Sequence, residues 1–137
     1  MDSKLIFWPV VVQILLTAYL YIRLKNVKIE AVKVGGVDRQ KAALDPDAWP
    51  DPVKKVNNNI RNQFEVPVLF YVLTIVLYVL GAVNPVTLGL ACLFVLSRLV
   101  HAYIHTGSNI VKYRLRAFTV GLLAVLGMLG ATIYALV

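Results

Sequence analysis

The sequence predicts an all-α integral membrane protein, a four-helix bundle forming one domain over residues 1–137. Three observations predict it. Hydrophobic residues make up 59% of the chain and the mean hydropathy is +0.73, above what soluble domains carry. Four apolar runs, at 5–24, 64–83, 86–105 and 118–137, each hold about 20 residues, enough to cross ~30 Å of hydrocarbon at ~1.5 Å per residue. With the polar ends that feed them, the spans are 5–24, 58–83, 86–106 and 114–137, and only the connection 25–57 is long, so no soluble domain remains.

The first span follows Met1-Asp2-Ser3-Lys4 and lacks a small-residue cleavage site, which reads as a retained helix rather than a signal peptide. Trp8 near one end and Tyr19 and Tyr21 near the other suit the two headgroup levels. Arg23 lies just beyond, placed either to snorkel or to meet a ligand. Gln13 and Thr17, four apart, are suited to bonding a neighbouring helix or to marking the packed side. In the connection, Gly35-Gly36 and the Pro- and Asp-rich run 45–52 speak for turns, and its lysines suit an anionic lipid surface.

The net charge of +7 comes from residues flanking the spans, so topology explains it better than nucleic acid. Lys25, Lys28, Lys33, Arg39, Lys41, Lys54 and Lys55 precede the second span, and Lys112, Arg114 and Arg116 precede the fourth. The turn 81–85 has no Lys or Arg. The positive-inside rule then makes the two basic connections cytoplasmic and puts both termini on the other side. The single Cys92 lies within a span and reads as a packing residue.

The second span opens on Asn57-Asn58-Asn59-Ile60-Arg61-Asn62-Gln63-Phe64-Glu65-Val66-Pro67. On a helix, Asn58, Arg61, Asn62 and Glu65 fall at i, i+3, i+4 and i+7 and share a face. Polar groups at the mouth of a spanning helix are costly unless they meet protein, water or a ligand. Pro67 predicts a kink beside Glu65. The turn 81–85 makes spans two and three an antiparallel hairpin. Span three ends with Arg98, His101 and His105 at i, i+3 and i+7, at the level where span two begins. Gly121, Gly127 and Gly130 allow close packing of span four.

One edge of the bundle thus collects Arg23, Asn58, Arg61, Asn62, Glu65, Arg98, His101, His105, Arg114 and Arg116. Guanidiniums clamp carboxylates and a glutamate receives an ammonium, which fits a small zwitterion such as a tripeptide thiol, among others. Structural readings stand beside this one. Glu65 suits an ion pair with Arg61 or Arg98, the histidines suit polar packing, and Arg114 and Arg116 suit positive-inside anchors. Two histidines without a third ligand do not make a metal site. An exporter of lipophilic cations would use Glu65 as its proton-coupled carboxylate, but the nearby arginines would repel its cargo.

Asn62-Gln63-Phe64-Glu65-Val66-Pro67-Val68-Leu69-Phe70, followed by Arg98-Leu99-Val100-His101 and then Arg114, resembles the membrane-associated proteins in eicosanoid and glutathione metabolism. That family includes microsomal glutathione transferases, leukotriene-C synthases and the microsomal prostaglandin E synthase. The resemblance implies a homotrimer with glutathione as cosubstrate, bound at subunit interfaces near the cytoplasmic side, and a lipophilic substrate arriving through membrane lipid. It implies glutathione contacts for Arg61, Asn62, Glu65 and Arg23, pocket-lining roles for Arg98 and His101, and thiolate stabilisation by Arg114, with Arg116 the competitor. The chain departs from the pattern at Asn58, where many members have arginine, and at His105, where relatives often have tyrosine. Leu115 and Phe118 stand where the prostaglandin synthase branch has Ser and Tyr, which argues against that isomerase chemistry. The activity implied is a glutathione transferase or peroxidase; a non-catalytic lipid-binding or scaffold member is the alternative.

Overall fold

The computed structural model describes residues 1–137, and every regular element is helical. A 3-10 turn, Ser3–Ile6, is capped by Asp2, whose carboxylate accepts from the Lys4 amide at 2.9 Å, and leads into α1 (Phe7–Val34). The helix runs on past Leu24, where the apolar run ends, because nothing breaks it before Gly35 and Gly36. Their φ values of 76° and 118° lie where side chains are strained.

Helical structure also occupies much of the long connection. Asp38 accepts from the amides of Gln40 and Lys41 to start α2 (Arg39–Leu44), and Asp45 caps a 3-10 turn, Pro46–Ala48. The Lys28 ammonium lies 4.9 Å from the centre of the Trp49 ring, which ties this segment back to α1. The turns fall at the Gly-Gly pair and the Pro- and Asp-rich run, as their chemistry predicts.

α3 (Asp51–Gln63) buries Val56 and Ile60 against Leu16 and Leu20 of α1 and against Ala102. At Phe64 and Glu65 the chain leaves helical geometry, with Glu65 at φ −99° and ψ −107°, before α4 (Val66–Val79) begins. Pro67 is the second residue of α4, where its missing N–H is harmless. The anticipated kink is therefore a complete break, located at Glu65.

Gly81, at φ 66°, turns the chain after α4. Asn84 and Thr87 then form a reciprocal capping box that starts α5 (Pro85–Thr106). The last helix, α6 (Val111–Leu136), makes its most extensive packing with α5. A Cβ on Gly121 would lie 2.5 Å from Ser97 Oγ, and one on Gly127 would lie 3.0 Å from Leu90 Cδ1, so these two glycines set that approach. Gly130 faces open space. The principal core joins Phe70, Leu77, Phe94, Val125 and Met128, with the Phe70 and Phe94 rings stacked at 4.5 Å. Four helical stretches, Ser3–Val34, Asp51–Val79, Pro85–Thr106 and Val111–Leu136, are long and apolar enough to span a bilayer.

A candidate site in a polar cavity at one end of the bundle

The end of α3, the end of α5 and the start of α6 meet around a cavity of about 380 Å³. Its wall is Asn58, Asn62, Glu65, His101, His105 and Arg114, completed by Val111, Leu115 and Phe118. A larger cavity, about 480 Å³, lies between the end of α1 and residues 48–52, but Glu30 is its only ionisable lining residue. The chemistry-bearing groups are in the first.

The polar side chains are held by their own helix, by a neighbouring one or by a turn. The Asn62 amide donates to the Asn58 carbonyl at 3.0 Å, fixing one amide within the turn before the break. Glu65 is exposed at the surface of the single chain and its backbone is the break itself. On α5, His101 and His105 are buried and meet edge to face, with ring centres 5.5 Å apart. His101 Nδ1 lies 3.3 Å from the Arg114 carbonyl oxygen, so its proton belongs on Nδ1 and Nε2 is left as an acceptor. Neither His101 Nε2 nor His105 Nδ1 has a protein partner. Buried polar atoms without partners are uncommon, and here they suit a polar ligand.

Arg114 Nη1 donates to Asn109 Oδ1 at 2.7 Å. Asn109 is the one non-glycine residue at positive φ, 54°, a conformation that asparagine tolerates well. The turn before α6 thereby aims the guanidinium. Asn109 carries only a slight signal in the sequence, an asparagine after Gly107-Ser108 at a helix start. Arg116 is exposed and does not line the cavity.

The other anticipated arginines are placed differently. Arg98 is 1% exposed and sits behind the wall, where Nη2 donates to the Asn62 carbonyl oxygen at 3.3 Å and Nε has no partner. Arg61 opens into a neighbouring cavity of about 270 Å³ with Asp47, Lys54 and Asn57, and Asn58 borders both. Arg23 heads an apolar groove between α1 and α5 lined by Leu16, Tyr19 and Tyr103. Within one chain, then, Asn62, Glu65, His101, His105 and Arg114 converge, Arg98 supports them, and Arg61 and Arg23 lie apart.

Fold and cavity together define an integral membrane four-helix bundle with an ionisable, ligand-sized pocket at one end. The chain belongs to the MAPEG family, whose model matches residues 6–134 of the 137. It is therefore a membrane protein of the glutathione and eicosanoid metabolism family. Comparison with curated proteins and with solved structures gives no match.

Proposed function

We propose that this protein is a membrane-bound, glutathione-dependent transferase or peroxidase that ionises the glutathione thiol and presents it to lipophilic electrophiles. The observation that carries this reading is the convergence of one oriented guanidinium, a carboxylate, amides and two buried imidazoles on one cavity. The carboxylate suits the ligand's ammonium, and Arg114 suits the sulfur. In a homotrimer, a partner copy's Arg23 or Arg61 would supply the carboxylate clamps that one chain leaves outside the cavity. The basic connections before α4 and α6 support a site near the cytoplasmic face with both termini opposite.

The chemistry required is modest. A free thiol with a pKa near 8.5 is only about 3% ionised at pH 7, and the thiolate is the nucleophile. A guanidinium beside the sulfur, in a pocket partly closed to water, favours the anion by about 1.4 kcal/mol for each unit of pKa lowering. Conjugation then forms a carbon–sulfur bond and expels the leaving group with its electron pair. Reduction of a hydroperoxide instead consumes two thiols and gives a disulfide, an alcohol and water.

The test is glutathione binding to the purified protein in detergent, read together with thiolate absorbance and conjugation of chlorodinitrobenzene. Binding, absorbance and turnover are all expected. Binding without turnover would identify a non-catalytic member, and absence of binding would remove the proposal altogether.

A further inference from the structure

A second polar constellation lies beside the site and contributes nothing to its wall. Gln13 of α1, Gln63 at the end of α3 and Asn59 one turn earlier are 0%, 1% and 0% exposed. Gln13 Nε2 donates to Gln63 Oε1 at 2.7 Å. Gln63 Nε2 donates to Asn59 Oδ1 at 2.9 Å and to the Asn59 carbonyl oxygen at 3.2 Å. Asn59 Nδ2 donates to the Ala102 carbonyl oxygen of α5 at 3.2 Å. Three helices are thus linked by side-chain amides inside an apolar bundle.

We infer that Gln13, Gln63 and Asn59 are positioning residues, which fix how α3 ends so that Asn62 and Glu65 face the cavity. The inference rests on the reading of that cavity as a thiol site. No helical hydrogen bond crosses the break: Glu65 is outside helical geometry and Pro67 has no N–H to bond back across it. The residue immediately before the break, Gln63, is instead anchored sideways to α1 and one turn back to Asn59, which is itself anchored to α5. Arg98 holds the intervening carbonyl of Asn62. Asn62, two residues before the break at Phe64 and Glu65, and its neighbour Gln63 are therefore tied to two other helices.

Magnitudes favour placement over bulk stability as the role. A side-chain hydrogen bond between helices in a membrane adds little to stability, because the unfolded chain in the membrane also finds partners. Gln13 Oε1 is buried without a partner, which offsets part of that gain. Polar groups of this kind are best attested as devices that set helix register. A displacement of about 1 Å at a site costs up to about a hundredfold in rate.

The experiment compares the parent with Gln13→Leu, Gln63→Leu and the double variant, all in one detergent. Each single change orphans a buried partner and should lower the melting temperature. The double variant removes the Gln13–Gln63 bond from both sides and should melt closer to the parent than the sum of the singles. Even so, it should raise KM for glutathione ten- to a hundredfold, an effect of about the size expected from 1 Å of misplacement, with a smaller change in kcat. A folded double variant with the parent's KM and thiolate absorbance would overturn the inference. Should the leucine variants fail to fold, Gln63→Asn, one methylene short of Gln13, replaces them with the same expectation. Hydrogen exchange at residues 62–66 gives a readout that needs no ligand, and faster exchange in the variants is expected. If the parent binds no glutathione, the thiol reading fails by itself; unchanged exchange at 62–66 would sink the positioning role whatever the ligand.

Discussion

Arg98 Nη2 donates to the backbone oxygen of Asn62 at 3.3 Å, so a fully buried cation on α5 holds the residue next to the end of α3. This bond makes Arg98 a support for the cavity wall, of which it is not itself a lining residue. Replacing Arg98 with an apolar side chain of similar length relieves the desolvation of a cation whose Nε has no partner and leaves the Asn62 carbonyl oxygen unpaired, two effects that oppose each other. Arg98→Met is therefore expected to melt within a few degrees of the parent while its affinity for glutathione falls. Thermal melts paired with equilibrium dialysis measure both; a variant that binds normally would show that the Asn62 contact is dispensable.

Arg114 and Arg116 are two residues apart, yet only Arg114 reaches the cavity. Arg114→Ala is expected to lower kcat by about a hundred- to a thousandfold, as loss of one preorganised donor does. Without the guanidinium the ligand's thiol should titrate nearer its free value of about 8.5, shifting the rising limb of the pH–rate profile to higher pH. Arg116→Ala should leave both quantities unchanged. Stopped-flow thiolate absorbance across pH separates the two arginines.

Asn109 combines a left-handed backbone with the acceptor for Arg114. Asn109→Gly keeps the backbone free of strain and removes only the acceptor. We expect near-parental stability with a thiolate signal between those of the parent and Arg114→Ala. Asn109→Ala adds strain of about 1 kcal/mol at positive φ and should also melt lower. Melting curves and absorbance together distinguish aim from fold.

The α5–α6 contact turns on a missing methyl group. Gly121→Ala would place Cβ 2.5 Å from Ser97 Oγ, whose hydroxyl donates to the Phe94 carbonyl oxygen at 2.6 Å. The two helices would have to separate or Ser97 would have to rotate, at a cost of about 1–3 kcal/mol. Gly130→Ala meets nothing and should be neutral or gain up to about 1 kcal/mol of helix propensity. Melting temperatures in one detergent decide between them.

Hydropathy made the four spans readable, because a run of apolar residues long enough to cross a bilayer is a property of the chain itself. His101, His105, Asn62 and Glu65 were readable as well, since helical spacing assigns residues to a face and the hairpin assigns the faces to one end. Spacing does not say what a face looks toward. Arg61 shares the stretch with Asn62 yet opens on the neighbouring cavity, and Arg98 shares a face with His101 yet turns to a backbone oxygen. The Gln13–Gln63 pair lies 50 residues apart in sequence, so only packing reveals it. Its trace in the sequence was slight: a lone amide in an apolar span and two amides at i and i+4 in another. The break at Glu65 was foreseen as a bend, since Pro67 marks lost helical bonding without saying whether the helix resumes in line.

The reach of α1 has a mechanical consequence. Its 28 residues measure about 42 Å, against roughly 30 Å of hydrocarbon, so about two turns stand clear of the acyl chains. Lys25, Lys28 and Lys33 ride on that projecting mast, and Trp49 is clipped to it through Lys28. A thickening membrane would submerge Lys25 before Lys28, and the Trp49 segment clipped at Lys28 would meet the lipid later still.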